Sequence, residues 1–170
     1  MEGVLIRQVR LSDAAQLVSF KREVSSESKF LLTCPDEVED IIDQRRMIAL
    51  YLGDSRRIFL VAEYNNQIIG MITLSGSSRR RIMHKGELGI SVRKQFWGKG
   101  IGSSLMEECL KIAKQKGFKK IQLEVMSNNN RAMALYKKFG FEVEGVKKKA
   151  VFIDNEYVDL VVMGKWLEDS

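Results

Sequence analysis

The sequence is poor in the residues that build covalently or metal-braced folds. Its only two cysteines, Cys34 and Cys109, lie far apart, so no disulfide framework is encoded and two reduced thiols are expected. One histidine, His84, and those scattered cysteines cannot supply the ligand spacing of a zinc site, and no metal is expected. A single proline, Pro35, and the lack of any Gly/Ser linker, repeat or low-complexity tract leave no internal boundary. No stretch reaches the roughly 20 apolar residues that span a bilayer, so no membrane association is expected. Residues 1–10 alternate apolar and polar instead of giving a charged start and an apolar run, which argues against a secretory signal and for a cytoplasmic protein.

What is present is ordinary for one globular domain. The 170 residues are 45% hydrophobic and 29% charged, enough to bury a core without staples. The net charge of +6 suits an anionic partner: nucleic acid, a membrane surface or a phosphate-rich small molecule. Charge alone does not choose among them.

The patterning gives the order β-α-α-β-β-β-α-β-α-β-β. Residues 4–10 alternate as a first strand, and Ser12 and Asp13 are placed to cap a helix running to about Ser25. Pro35 with Asp36, Glu37 and Glu39 marks the start of a second helix; Ile41, Ile42, Ile48, Ala49 and Leu52 form its apolar side, and Gly53 ends it. Strands at 58–64 and 67–74 flank Asn65-Asn66, a pair able to close a tight hairpin at positive φ. Residues 88–92 alternate as a further strand. Ile101, Leu105, Cys109 and Ile112 recur at helical spacing until Gly117. A strand at 121–125, a helix at 131–139 and a hairpin turning at Asp154-Asn155 complete the chain. Its methionines, with Phe118, Phe139 and Phe141, read as core. Antiparallel strands followed by βαβ crossings predict an α/β fold: a mixed, mostly antiparallel sheet of about seven strands with helices on both faces.

Chemistry is concentrated in two stretches. In the first, the strand ending at Val92 runs through Gly98-Lys99-Gly100-Ile101-Gly102-Ser103 into a helix. Main-chain N–H groups are free at a helix start, the dipole adds positive charge there, and glycines let a diphosphate approach the backbone. Lys99 and Lys94 add charge nearby. Neither the Walker nor the dinucleotide fingerprint is matched, and a glycine turn alone is also compatible with a purely structural role. In the second, Asn129 and Tyr136 are seven residues apart on one helix side, with the small Ala132 between them. A ligand chain could lie there between amide and phenol. Asn129 also suits a helix cap and Tyr136 a half-buried core aromatic.

Together the two stretches resemble the GNAT superfamily of N-acetyltransferases, and the resemblance covers almost the whole chain. The loop matches that family's Arg/Gln-x-x-Gly-x-Gly/Ala pattern, with Gly100 and Gly102 as its glycines. Residues 129–141 match its Asn-x-x-Ala-x-x-Leu-Tyr…Gly-Phe pattern. The ending, from Asn155 to Met163, is similar to the last hairpin of the ribosomal-protein-type and amino-acid-type branches. Trp97 stands where the family more often has Arg or Gln.

The resemblance implies a single domain over residues 1–170 with its acetyl-CoA-binding core at about 86–141, and central parallel strands that splay to admit the pantetheine arm. It implies that Val92 pairs with a pantetheine amide and that the Ile90 N–H polarises the thioester carbonyl. Gly98, Lys99, Gly100, Ile101, Gly102 and Ser103 would hold the pyrophosphate, with Asn129 a further ligand contact. Tyr136 would protonate the departing thiolate, and Glu87, at the start of the acyl-binding strand, would be the base unless a water chain serves. The expected partners are acetyl-CoA and an amine acceptor, with neither membrane nor nucleic acid, and a homodimer is left open.

A catalytically silent CoA-binding regulatory module is the alternative from another class, and a charge-driven nucleic-acid binder ranks last. Residues 25–51 should form much of the amine site. Glu27, Asp36 and Glu37 there could attract a cation, although acids at a helix start have their own structural reason. His84 and the basic runs 79–81 and 147–149 read as solvated surface.

Overall fold

A computed structural model of the protein describes residues 1–167. The chain forms β1 (Leu5–Gln8), α1 (Ala14–Glu27), α2 (Ile41–Gly53), β2 (Arg57–Tyr64), β3 (Gln67–Gly76), β4 (Lys85–Val92), α3 (Ile101–Gln115), β5 (Lys120–Met126), α4 (Asn130–Lys138), β6 (Glu142–Ile153) and β7 (Glu156–Trp166). Seven strands make one sheet in the order β1-β2-β3-β4-β5-β7-β6. Every neighbouring pair is antiparallel except β4 and β5, where the chain crosses over through α3.

Both hairpins form where positive φ was expected. Asn65 and Asn66 stand at φ 49° and 61°, and Asp154 and Asn155 at 51° and 60°. Two consecutive left-handed residues give the turn whose twist matches that of the strands it joins. On one face of the sheet, Ile101, Leu105, Met106, Cys109 and Ala113 of α3 pack on Ile72, Leu74, Leu88, Ile121 and Leu123, with Tyr136 and Phe141 in the same cluster. On the other face, α1 buries Leu17, Phe20 and Val24 against Phe59, Val61 and Ile68.

The structure departs from the sequence expectations at several places. Ser12 and Asp13 do not cap α1 with their side chains; they lie in a 3₁₀ turn, Leu11–Asp13. Asp13 instead accepts from the Arg10 amide at 2.7 Å and receives both terminal nitrogens of Arg7 at 2.8 Å. Pro35 opens only a 3₁₀ turn, Pro35–Glu37; α2 starts six residues later, capped by Asp40 through the Asp43 amide at 2.9 Å. The apolar side expected for α2 is mostly outside: Gln44 and Ile48 are buried, while Ile42 is 63% exposed. This helix packs at the sheet margin on α1 and β2, so only a narrow stripe is covered. Met106, Met126 and Met163 are core, but Met1, Met47 and Met83 are exposed. Phe118 and Phe141 are buried and Phe139 half-buried.

The Arg7–Asp13 pair gives a stability prediction. Burial pushes the Asp13 carboxyl up, but hydrogen bonds from Arg7 and the Arg10 amide outweigh it and hold the group below the usual carboxylate range. A depressed carboxylate contributes stability above its unfolded value, and that contribution is lost as pH falls through the folded value. Asp13→Ala should cost about 2–3 kcal/mol in urea unfolding at neutral pH, since Arg7 keeps Glu63 as its one charged partner, with the Gln8 carbonyl at 3.1 Å. The deficit should shrink in acid.

Candidate active site

The site begins with a break in hydrogen bonding. β4 and β5 pair at only three positions, Lys85↔Lys120, Gly86↔Ile121 and Glu87↔Gln122, and then diverge. β3 stays paired with β4 up to Gly70↔Val92, and β7 with β5 up to Met126↔Leu160. The Arg93 amide bonds to the Ile69 carbonyl at 2.9 Å. Because bonded and non-bonded pairs alternate along an antiparallel ladder, the main-chain groups of Ser91 and Gly89 turn to β3. Those of Leu88, Ile90 and Val92 therefore point into the wedge. The Ser127 amide bonds to the Asp159 carbonyl at 2.9 Å, so by the same alternation Glu124 and Met126 face the wedge from β5. The Met126 carbonyl is taken by the Asn129 amide at 2.9 Å, but main-chain groups of Ile90 and Glu124 still face the space between the half-strands, and buried backbone groups require partners.

The wedge opens into a cavity of about 530 Å³ lined by Leu88, Ile90, Val92, Val125, Asn129 and Tyr136, and by the glycine turn. Gly98 and Gly100 stand at φ 71° and 81°, which a branched side chain would occupy only with strain, and a Cβ on either would point into open space. Gly100 is the N-cap of α3. The first intrahelical bond is Ser104 N–H to the Gly100 carbonyl at 3.0 Å, which leaves the amides of Ile101, Gly102 and Ser103 uncommitted at the positive end of the dipole. Gly102 has a different reason to be small: a Cβ there would come within 3.2 Å of Leu135, so glycine lets α3 and α4 close up at the cavity wall.

Of the residues expected here, Gly98, Gly100, Ile101, Gly102 and Ser103 all line the cavity. Lys99 does not; its ammonium lies 5.6 Å from the Phe96 ring centre. Lys94 is also outside the lining, and its amide is bound by the Glu27 carboxylate at 3.0 Å. Lys138, from the last turn of α4, is likewise outside the lining, but its ammonium is 3.3 Å from Ser103 Oγ at the start of α3. Nothing in the local sequence pairs α4's end with α3's start, so this contact was invisible before the fold was known.

Trp97 has a defined job. Its indole donates to the Val92 carbonyl at 2.8 Å, and the Arg131 guanidinium stacks 3.6 Å from its ring centre. One carbonyl facing the wedge is therefore already engaged. Arg131, whose guanidinium is pushed below its usual range by burial, lies beside the cavity. Asn129 caps α4, its side chain accepting from the Ala132 amide at 3.2 Å, and it also lines the cavity. Tyr136 is only 7% exposed yet contributes to the lining, and burial pushes its phenol up to about 12.

The far end of the cavity is formed by Ser25 of α1 and by Ser28, Phe30, Leu31, Thr33 and Glu39 between α1 and α2. Lys21 pairs with Glu39 there. The acids thought able to attract a cation have other duties. Glu27 binds the Lys94 amide, Glu37 binds the Cys34 amide at 2.8 Å, and neither these nor Asp36 line the cavity. Glu87 is likewise outside the lining, although burial raises its pKa and it lies within electrostatic reach of Lys85, Glu124 and Lys147. Besides Glu39, which is held by Lys21, the acid that lines the cavity is Glu124, on the diverging part of β5 and paired with Lys147 of β6. Sequence reasoning missed it, because a lone acid in a strand carries no signal until the splay is seen.

Comparison with known proteins agrees with this geometry. Residues 24–141 match the acetyltransferase (GNAT) family. The chain is 34% identical over 107 residues to the L-amino acid N-acetyltransferase AaaT of Escherichia coli (strain K12), a match spanning 62% of this chain and 66% of that protein. A GNAT-family acetyltransferase from Streptococcus pneumoniae superposes with a TM-score of 0.93 at 32% identity, covering 97% of this chain and 99% of that one. A GNAT superfamily phosphinothricin acetyltransferase from Sinorhizobium meliloti, solved in complex with acetyl-CoA, shares the fold at a TM-score of 0.85 and 20% identity, covering 97% and 89%. The chain belongs to the GNAT acetyltransferase family, and its seven-stranded mixed sheet with one splayed parallel pair is that family's fold. It is an acyltransferase.

Proposed function

We propose that the protein transfers an acetyl group from acetyl-CoA directly to a primary amine held in the same cleft. The observation that carries this reading is the wedge between β4 and β5, whose inward main-chain groups fit the amide-bearing pantetheine arm. In this reading the amides of Ile101, Gly102 and Ser103 bind the pyrophosphate, with Lys138 adding charge. The Ile90 N–H donates to the thioester carbonyl oxygen as negative charge develops, a type of contribution worth about 3 kcal/mol per donor.

An ammonium cannot attack a carbonyl, so its proton must first be removed. We assign that role to Glu124 over Glu87, because Glu124 faces the cavity. The amine nitrogen bonds to the acetyl carbon, the carbon–sulfur bond breaks, and Tyr136 gives its proton to the departing thiolate. A phenol with a pKa near 12 stays protonated through neutral pH and remains able to donate. Glu124→Gln should lower kcat/KM about 10- to 100-fold near pH 7 and recover part of the loss at higher pH, where more acceptor is already deprotonated. A pH–rate profile identical to the parent's would remove Glu124 from this role.

Free amino acids head the acceptor candidates, supported by the name of the Escherichia coli relative and by the Lys21–Glu39 pair at the acceptor end, which offers one charge of each sign. Thiol release from acetyl-CoA over a panel of amino acids, peptides and polyamines, with products identified by mass spectrometry, tests the assignment. Tight CoA binding with no turnover on any amine would favour the regulatory module.

A further inference from the structure

The positive charge of the chain is gathered at one end of the sheet, away from the cavity. The segments 77–85 and 114–120 hold Arg79, Arg80, Arg81, Lys85, Lys114, Lys116, Lys119 and Lys120 and no carboxylate of their own, although Glu144 of β6 pairs with Lys120 at 2.8 Å. Without these eight, the remaining 20 Lys and Arg face 22 Asp and Glu, so the excess charge resides wholly in the two segments. The fold joins them. The His84 carbonyl accepts from the Lys119 amide at 2.8 Å and the Lys120 amide at 3.0 Å, and Lys85 pairs with Lys120 in register. The intervening loop is held in shape by Ile82 N–H to the Arg79 carbonyl at 3.0 Å and Lys85 N–H to the Ile82 carbonyl at 3.2 Å. Arg79, Arg80, Arg81 and Ile82 line a surface hollow. Among the described residues, the three arginines make no ion pair.

An aromatic platform lies beside them. Trp166 is 61% exposed, sits opposite Lys120 in the sheet register, and has its ring 6.5 Å from the His84 ring. Nothing in the linear sequence interleaves these rings with the cations; the β5–β7 pairing does. The patch is also separate from the diphosphate site. α3 runs its 15 residues from that site to the lysines of its last turn, about 22 Å.

We propose that this end of the molecule binds single-stranded nucleic acid, with the arginine loop on phosphates and Trp166 stacking on a base. Arginine's planar fork matches phosphate, and an exposed ring among cations is the usual stacking platform for single strands. Ile82 and Met83 are exposed beside the arginines at 36% and 39%, so an anionic membrane is the competing occupant and forms an arm of the test. The surface departs from the expectation that nucleic acid plays no part, and it stands whatever amine the cavity accepts.

Fluorescence anisotropy with a labelled oligouridylate of about 20 nucleotides tests the proposal. The parent protein should bind at low salt, with log K falling against log salt by about 0.7 per phosphate contacted. Replacing Arg79, Arg80 and Arg81 together with alanine should weaken binding at least 10-fold and flatten that slope. Trp166→Ala should weaken binding about 5- to 100-fold while leaving the slope unchanged. Both variants should hold acetyl-CoA as the parent does, which reports an intact fold. The proposal is overturned by absence of oligonucleotide binding at about 50 mM salt, or by binding indifferent to the arginines. It is equally overturned if the tryptophan variant binds as tightly as the parent, or if arginine-dependent binding is seen with phosphatidylserine vesicles and not with the oligonucleotide.

Discussion

Tyr136→Phe should lower kcat about 100-fold while acetyl-CoA affinity stays within about threefold of the parent. The substitution removes one oxygen and keeps the ring that packs in the core cluster with Phe141, so packing changes little. What is lost is the proton donor. General acid catalysis contributes roughly 10²- to 10⁴-fold, and the lower figure is expected because a thiolate is a better leaving group than an amide or alkoxide. The pH profile separates this role from a merely structural one. With its phenol held near 12 by burial, the parent should keep its kcat up to about pH 10, where an ordinary tyrosine would be half ionised. Stopped-flow thiol release at saturating amine measures both. A Phe variant with parental turnover would leave the thiolate to be protonated by water.

Gly100→Val should raise the dissociation constant for acetyl-CoA by about 100-fold or more. Two effects combine. At φ 81° a β-branched residue costs on the order of 1–3 kcal/mol in backbone strain, which the chain can relieve only by reshaping the turn. The side chain would also occupy open space at the N-cap of α3, next to where the diphosphate is proposed to sit. A factor of 100 corresponds to about 2.7 kcal/mol, which either effect approaches alone. Isothermal titration of the variant, with far-ultraviolet circular dichroism to confirm that α3 remains formed, reads this directly. Unaltered affinity would place the phosphates elsewhere.

The fold was legible wherever a local pattern had a local cause. The paired asparagines, the glycine before α3 and the alternation at residues 88–92 each produced the element expected. The sequence misled where tertiary context overrode a local signal. Asp13 looked like a cap but serves Arg7 and Arg10. Pro35 looked like a helix start but opens a single turn. The apolar residues of α2 suggested a broad buried face, and a helix at the sheet margin covers only Gln44 and Ile48. Of the residues the sequence nominated for the site, Gly98, Gly100, Ile101, Gly102, Ser103, Ile90 and Val92, on the glycine turn and β4, line the cavity. Asn129 and Tyr136 of α4, carried by a local motif, line it too, whereas side chains brought in without such a motif were not nominated. Lys99 and Glu87 were near in sequence but turn elsewhere, whereas Lys138 and Glu124 are brought in by α4 and by the divergence of β5. The same lesson applies to the basic end, where pairing of β5 with β7 sets Trp166 beside cations distant in sequence.

Backbone amide exchange, followed residue by residue with and without saturating acetyl-CoA, tests the central claim most directly. Gly89 and Ser91 donate to β3 and should exchange slowly in both states, whereas Ile90 faces the wedge and should slow at least 10-fold once ligand is added. Ile101, Gly102 and Ser103 should slow with it. If acetyl-CoA binds and the Ile90 amide exchanges as fast as before, the thioester arm does not lie between β4 and β5, and the account of this site is wrong.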